Sequence, residues 1–205
     1  MGPGFESLRV YKKEVTKVAS FFVYQYLNDN NKGIKTMEYL YLLPIVFMIH
    51  EFEEIIMLPT WLDKNKAMLY VRFPFMKDKV DSLSNAPVFA LTVLEEFIII
   101  SACTVMSICM NDLTAWYCCL IAFGLHLIVH IIQFLVIRKY IPVIVTSVLC
   151  LPYCIWAFIQ VKDCYTLNET LLWGFVSVVV CVVNLLSMHK ISPKLWNWMN
   201  GNNRT

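Results

Sequence analysis

The chain is poor in charge and in the punctuation that separates soluble domains. Of its 205 residues only 16% are charged, while 59% are hydrophobic. An average soluble domain is about 25% charged and about 45–50% apolar. A chain so short of polar side chains, with a mean hydropathy of +0.60, has a membrane signature. The formal net charge is only +2, and no basic block is interleaved with aromatics, which sets nucleic acid aside as a partner. Internal repeats, low-complexity tracts and Ser/Gly/Pro-rich linkers are lacking as well, so nothing in the composition divides the chain.

The cysteines lack the spacing of a zinc finger. Cys118-Cys119 and Cys150-x3-Cys154 are not Cys-x2-Cys pairs. Cys103, Cys109, Cys118, Cys119, Cys150, Cys154 and Cys181 lie inside apolar runs, where thiols act as small hydrophobes. A cleaved leader is not expected either, because Gln25 interrupts the apolar stretch from Val18 to Leu27 and no small-residue cleavage site follows.

What the chain does have is long apolar runs. Five segments, Tyr39–Trp61, Pro87–Met110, Ala115–Ile137, Ile141–Gln160 and Thr170–Met188, approach the length of about 20 residues that crosses a hydrocarbon core. Asn85 before Pro87, Asp112 ahead of the third segment and Pro142 in the first turn of the fourth are expected helix starts. Pro44 is expected to bend the first helix. Ahead of them, Leu8, Tyr11, Val15, Val18, Phe22 and Tyr26 recur at helical steps opposite Arg9, Lys12, Lys13 and Lys17, which reads as an amphipathic helix on the membrane surface. The expected fold is an all-α polytopic membrane bundle of about five hydrophobic helices. An interfacial segment over 1–37 precedes a transmembrane domain over 38–189. A tail over 190–205 follows, with Trp196 and Trp198 as interface anchors.

The connections after helices one, three and five hold Lys64, Lys66, Arg72, Lys77, Lys79, Arg138, Lys139, Lys190, Lys194 and Arg204, while those after two and four hold only Lys162. The first group is therefore expected on the cytoplasmic side. Strict alternation would then place the basic N-terminal segment outside. Either that segment is an exception, or the first hydrophobic stretch enters and leaves the membrane on one side.

The first apolar helix contains His50-Glu-Phe-Glu-Glu54 at its centre. At about 100° per residue, Glu53 and Glu54 share a face with His50, whereas Glu51 projects farther round and is expected to stand behind the ligands. The second helix carries Glu95-Glu96, about 4–5 Å of helical rise from its midpoint, with Thr92 within a turn. His126 and His130 lie four apart on the third, on a stripe with Cys119, Ala122 and Gln133. Each charge facing lipid at mid-membrane costs about 2.5–3.5 kcal/mol on translocon scales, so these side chains are expected to face inward and satisfy one another. Helices four and five carry no ionisable group at this depth.

Imidazole with carboxylate suits Zn, Fe or Mn, and ligands one turn apart are how helical bundles hold metals. His50, Glu53, Glu54, His126 and His130 are the expected ligands. Glu95 or Glu96 would complete the shell or act as general base. His-Glu here begins the zinc hydrolase pattern His-Glu-x-x-His, but Glu54 stands where the second His belongs. Interhelical hydrogen bonding and a proton or ion pathway are the competing readings of the same residues. Asn168-Glu-Thr170 matches a glycosylation acceptor but abuts the fifth helix and is read as chance.

At these residues the chain resembles the uncharacterised membrane-protein family named for its HxxEE motif. His50, Glu53 and Glu54 carry the motif. His130, then Arg138-Lys-Tyr140-Ile-Pro142, Thr146 and Pro152 resemble the family's second block, and the resemblance runs from about Tyr39 to Pro152. Val143 departs from the small residue common after that proline. The resemblance implies a multi-pass membrane protein and supplies no reaction, substrate or metal. From the residues themselves, the expectation is a metal-dependent membrane enzyme acting on a lipid or other hydrophobic substrate, by hydrolysis or by oxygen-dependent modification. The alternatives are a proton- or ion-coupled transport protein and a structural membrane scaffold.

Overall fold

The computed structural model describes residues 38–201, and the amphipathic segment expected over 1–37 lies outside them. The described chain is helical, with no strand among the described residues. Five long helices carry it: α1 (Glu38–Arg72), α3 (Ala86–Met110), α4 (Thr114–Ile137), α5 (Ile144–Val161) and α6 (Leu167–Met199), with a short α2 (Lys77–Leu83) after a 3₁₀ turn at Pro74–Met76. The expected all-α bundle is what forms.

The helix ends follow from local chemistry. Asn85 caps α3 by accepting from the Val88 amide at 3.5 Å, with proline in the first turn. Asp112 accepts from the Thr114 amide at 2.9 Å ahead of α4. Thr166 and Glu169 form a reciprocal capping box at the start of α6. Asn111 and Arg138 close α3 and α4 in the left-handed conformation, at φ 53° and 55°. Pro142 falls in the turn before α5 rather than in its first helical turn, because that helix begins only at Ile144. The helix α6 runs unbroken past Met188 to Met199, so Trp196 and Trp198 are helical.

Four helices, α3, α4, α5 with its short 3₁₀ extension to Cys164, and α6, are long and apolar enough to cross a membrane. Their outward side chains are apolar too: Ile98, Leu149 and Val180 are 57%, 70% and 61% exposed. The ionisable residues of α1 keep it out of that class, yet it is a continuous helix through Pro44 and Pro59, about 52 Å long at 1.5 Å per residue. Its first half runs beside α4 in the same direction. Near one end the Trp116 indole N–H donates to the Leu40 carbonyl at 3.1 Å. Next, Phe47 meets Phe123 with ring centroids 5.5 Å apart. At the other end the Arg72 guanidinium donates to the carbonyls of Val136 and Ile137 at 2.8 and 3.0 Å, satisfying two of the acceptors that a helix end leaves unpaired.

The helix α4 is central, packing against α3, α5 and α6. Ahead of Arg72, Leu58, Leu62 and Leu69 of α1 form a buried cluster with Val80, Ile141 and Val143, which joins α2 and the turn before α5 to the bundle. Lys64 and Lys66 belong to α1 itself rather than to a connection. Asp63 pairs with Lys66 at 2.6 Å, and that ammonium holds the Asp63 carboxyl below its usual range.

Candidate metal centre

The i,i+4 spacing of His50 and Glu54 on α1, and of His126 and His130 on α4, brings four side chains to one point where the two helices lie alongside. Among the described residues, this quartet is the group of His, Cys, Asp and Glu side chains close enough to hold a metal ion, each offering one ligand atom with all four within 4.8 Å of one another. Around Glu54 Oε1 the Nε2 atoms of His130, His50 and His126 stand at 2.6, 3.3 and 3.5 Å. A tetrahedral ion with bonds of about 2.0–2.1 Å separates its ligand atoms by roughly 3.3–3.4 Å. The His50 and His126 approaches match that edge. The His130 approaches, including 2.9 Å to His126 Nε2, are of hydrogen-bond length.

Hydrogen bonds from outside the quartet fix which nitrogen faces inward. Thr146 Oγ1 donates to Glu53 Oε2 at 2.5 Å, so its lone pairs are left to accept from His50 Nδ1 at 2.9 Å. That places the His50 proton on Nδ1 and leaves Nε2 bare. His130 Nδ1 lies 3.0 Å from Gln133 Oε1, which can only accept, so Nδ1 is protonated here as well. Metal-binding imidazoles are oriented in this way, with the far nitrogen tied to an acceptor. The result is visible in the burial: His50 Nε2 and Glu54 Oε1 are both enclosed and make no well-aligned hydrogen bond. His50 is fully buried and Glu54 only 4% exposed. Two buried acceptors facing each other at this distance are costly unless a proton or a metal cation lies between them.

Glu53, expected as a ligand, is not in this group. Its carboxylate crosses to α5, where Oε2 accepts from the Thr146 amide at 2.9 Å as well as from the hydroxyl. A carboxylate on the free amides of a first helical turn is favoured by the helix dipole, and Val143, at the N-cap of α5, supplies no side-chain cap. Glu95 turns to α6, accepting from Asn184 Nδ2 at 3.0 Å. Thr92 Oγ1 meets Ser192 Oγ at 2.9 Å. Glu96 lines a cavity of about 350 Å³ between α3, α4 and α6, along with Glu51, Glu54 and His126. Glu51, expected to project farther round, is buried with Oε1 3.7 Å from His126 Nε2.

The motif is shared. A family model described as a protein of unknown function with HXXEE motif matches residues 41–157, more than half of the chain. The chain belongs to the HXXEE family. Comparison with curated proteins and with solved structures finds no match. In HXXEE terms, the His and second Glu of the motif join the four-residue group while the first Glu holds the neighbouring helix. Two partners escaped sequence reasoning: Asn184, the one amide in the apolar run of α6 from Thr170 to Met188, and Ser192. The signal for Asn184 was its amide in a run that offers no other hydrogen-bonding group of that size.

Proposed function

We propose that this chain is a metal-dependent integral membrane enzyme acting on a lipid or other hydrophobic substrate. His50, Glu54, His126 and His130 are its ligands for a transition metal, Zn, Fe or Mn. The observation that carries the reading is the convergence of four ligand atoms, all within 4.8 Å of one another, around a fully buried His50 whose Nε2 makes no hydrogen bond. Three imidazoles and one carboxylate suit these metals. Such a metal would supply Lewis acidity or, if iron, oxygen chemistry.

The cavity supports the choice of substrate. It adjoins the quartet at His126 and Glu54 and is otherwise lined mostly by apolar side chains and thiols, as a site for a small hydrophobic molecule should be. His126, with a side chain 35% exposed, is the ligand on that side. Glu96 lines the cavity and serves as the general base, whereas Glu95 is engaged by Asn184. Glu53 positions His50 through Thr146 instead of binding the ion.

One observation favours the rival reading of a proton relay in a transport protein. His130 Nε2 lies within hydrogen-bond length of both Glu54 and His126, a continuous path from Gln133 to the cavity edge. Elemental analysis of the detergent-purified protein separates the two. The enzyme reading expects stoichiometric transition metal. A folded protein that stays free of metal after exposure to Zn, Fe and Mn salts would overturn it and leave the relay.

A further inference from the structure

The cavity beside the quartet has a closed end and an open side. Along α4 it runs from His126 past Ala122, Cys119 and Cys118 to Ala115, about 16 Å of helical rise. At the Ala115 end the walls meet. The Trp116 amide donates to Ser107 Oγ of α3 at 3.3 Å, and the Cys118 thiol donates to the Trp173 carbonyl of α6 at 3.8 Å. The open side lies between α3 and α6. These helices run antiparallel, with Thr92 on Ser192 and Glu95 on Asn184. Four residues on from Glu95 and four back from Asn184, Ile99 and Val180 therefore stand at one depth. Both line the cavity, yet they are 40% and 61% exposed, while its other described lining residues are buried or partly buried. Each sits near the middle of a helix apolar enough to cross a membrane, so the opening faces hydrocarbon. Counted from the contact of Ser107 with Trp116, Ile99 is level with Gly124, within a turn of His126.

We infer that the cavity is a channel for one unbranched hydrocarbon chain, which enters sideways from the bilayer between Ile99 and Val180, leaves its functional end at His126 and lays its tail toward Ala115. Position, wall and size select this ligand together. An opening at mid-membrane depth is reached by alkyl and acyl chains already dissolved there. The strip on α4 that receives the tail is built of small residues, Ala115, Cys118, Cys119 and Ala122. The volume of about 350 Å³ is at the low end of the roughly 300–1,000 Å³ of small-molecule sites. Stretched over the length of this strip, it suits one chain rather than two chains or a fused ring system. A methylene chain advances about 1.25 Å per carbon, from bonds of about 1.5 Å at about 111°, so the closed end admits about 12–13 carbons. The inference deepens the enzyme reading by naming the substrate class, and it rests on that reading only for treating the bound chain as a substrate.

The test uses full-length protein in phosphatidylcholine nanodiscs, with the melting temperature followed against straight-chain primary alcohols from octanol to octadecanol and against cholesterol. The rise should be greatest near dodecanol and tridecanol. Ala115→Leu, which raises the floor of the channel by one helical turn of about 5.4 Å, should move the optimum about four carbons shorter. Photolabelling of wild type needs no variant: dodecanol carrying a diazirine on its last carbon should label residues 115–119 on irradiation, in competition with plain dodecanol. Val180→Trp, at the opening, should slow that labelling and leave its end point unchanged. A response that climbs steadily with chain length, an equal response to cholesterol, an optimum unmoved by Ala115→Leu, or label spread over outward residues such as Leu149 would each overturn the inference. Metal content is measured in the same samples. A length optimum in protein without metal would uphold the channel while defeating the enzyme reading, whereas stoichiometric metal with no length optimum would overturn the channel and leave the enzyme reading standing.

Discussion

His50 and Thr146, distant in sequence, share a hydrogen bond of 2.9 Å. Because the same hydroxyl donates to Glu53, one threonine fixes the tautomer of a buried imidazole and anchors the carboxylate that caps its own helix. Thr146→Val keeps the shape but removes the hydroxyl. Metal affinity should fall by about 10–100-fold, the usual cost of losing an orienting partner, and Thr146→Ser should restore it. Titration with a metal-competing chelator measures both. Glu53→Gln should weaken affinity similarly while the metal stoichiometry at saturation stays that of wild type; loss of stoichiometry would return Glu53 to the ligand set.

His50→Ala and His126→Ala should each deplete the same metal, and the double variant should lose little more than either alone. Residues acting on one centre behave non-additively. Elemental analysis of the three variants checks this, with additive partial losses as the contrary result.

The two ties between α1 and α4 make a contrasting prediction. Trp116→Phe removes the donor to Leu40 and should destabilise by about 1 kcal/mol. Arg72→Lys keeps the charge but loses the fork that reaches two carbonyls and should also lower the melting temperature. The ties sit near opposite ends of α4, so their effects should add, and metal content should not change. Thermal unfolding in detergent reads all of these.

Topology is open to labelling. Cysteines placed at Lys77 and Arg138 should react only with a cytoplasmic reagent, and one at Lys162 only from the opposite side. Reaction at position 77 or 138 from outside intact cells would refute the orientation.

Much of this arrangement could be read from residue types because polar groups within apolar helices have few places to go. Period and depth alone put His50, His126 and His130 together. What they could not supply was direction within a turn. Glu53 and Glu54 are neighbours, each within reach of the His50 face, and only the position of α5 decides that Glu53 leaves for the Thr146 amide while Glu54 stays. The same applies to Glu95 and Glu96, which the placement of Asn184 on α6 separates. Glu51, read as lying behind the ligands, does sit beside them, but the cavity it lines is made with three other helices and could not be read from α1 alone. The length of α1 was also missed, because Asp63 and the lysines after it look like a loop until Leu58, Leu62 and Leu69 find their buried partners.

Fastening α1 to α4 near Leu40 and again at Arg72 has a mechanical consequence. A bilayer that is too thin or too thick is accommodated by helix tilt at a modest cost per ångström. With α5 tied to α1 through Thr146 and Tyr153 as well, these three helices tilt together, so the spacing between His50 and His126 is insulated from that adjustment, and the strain falls on α3 and α6. The four-residue group should therefore keep its geometry in membranes of different thickness, while the cavity beside it, walled by helices free to tilt, changes width.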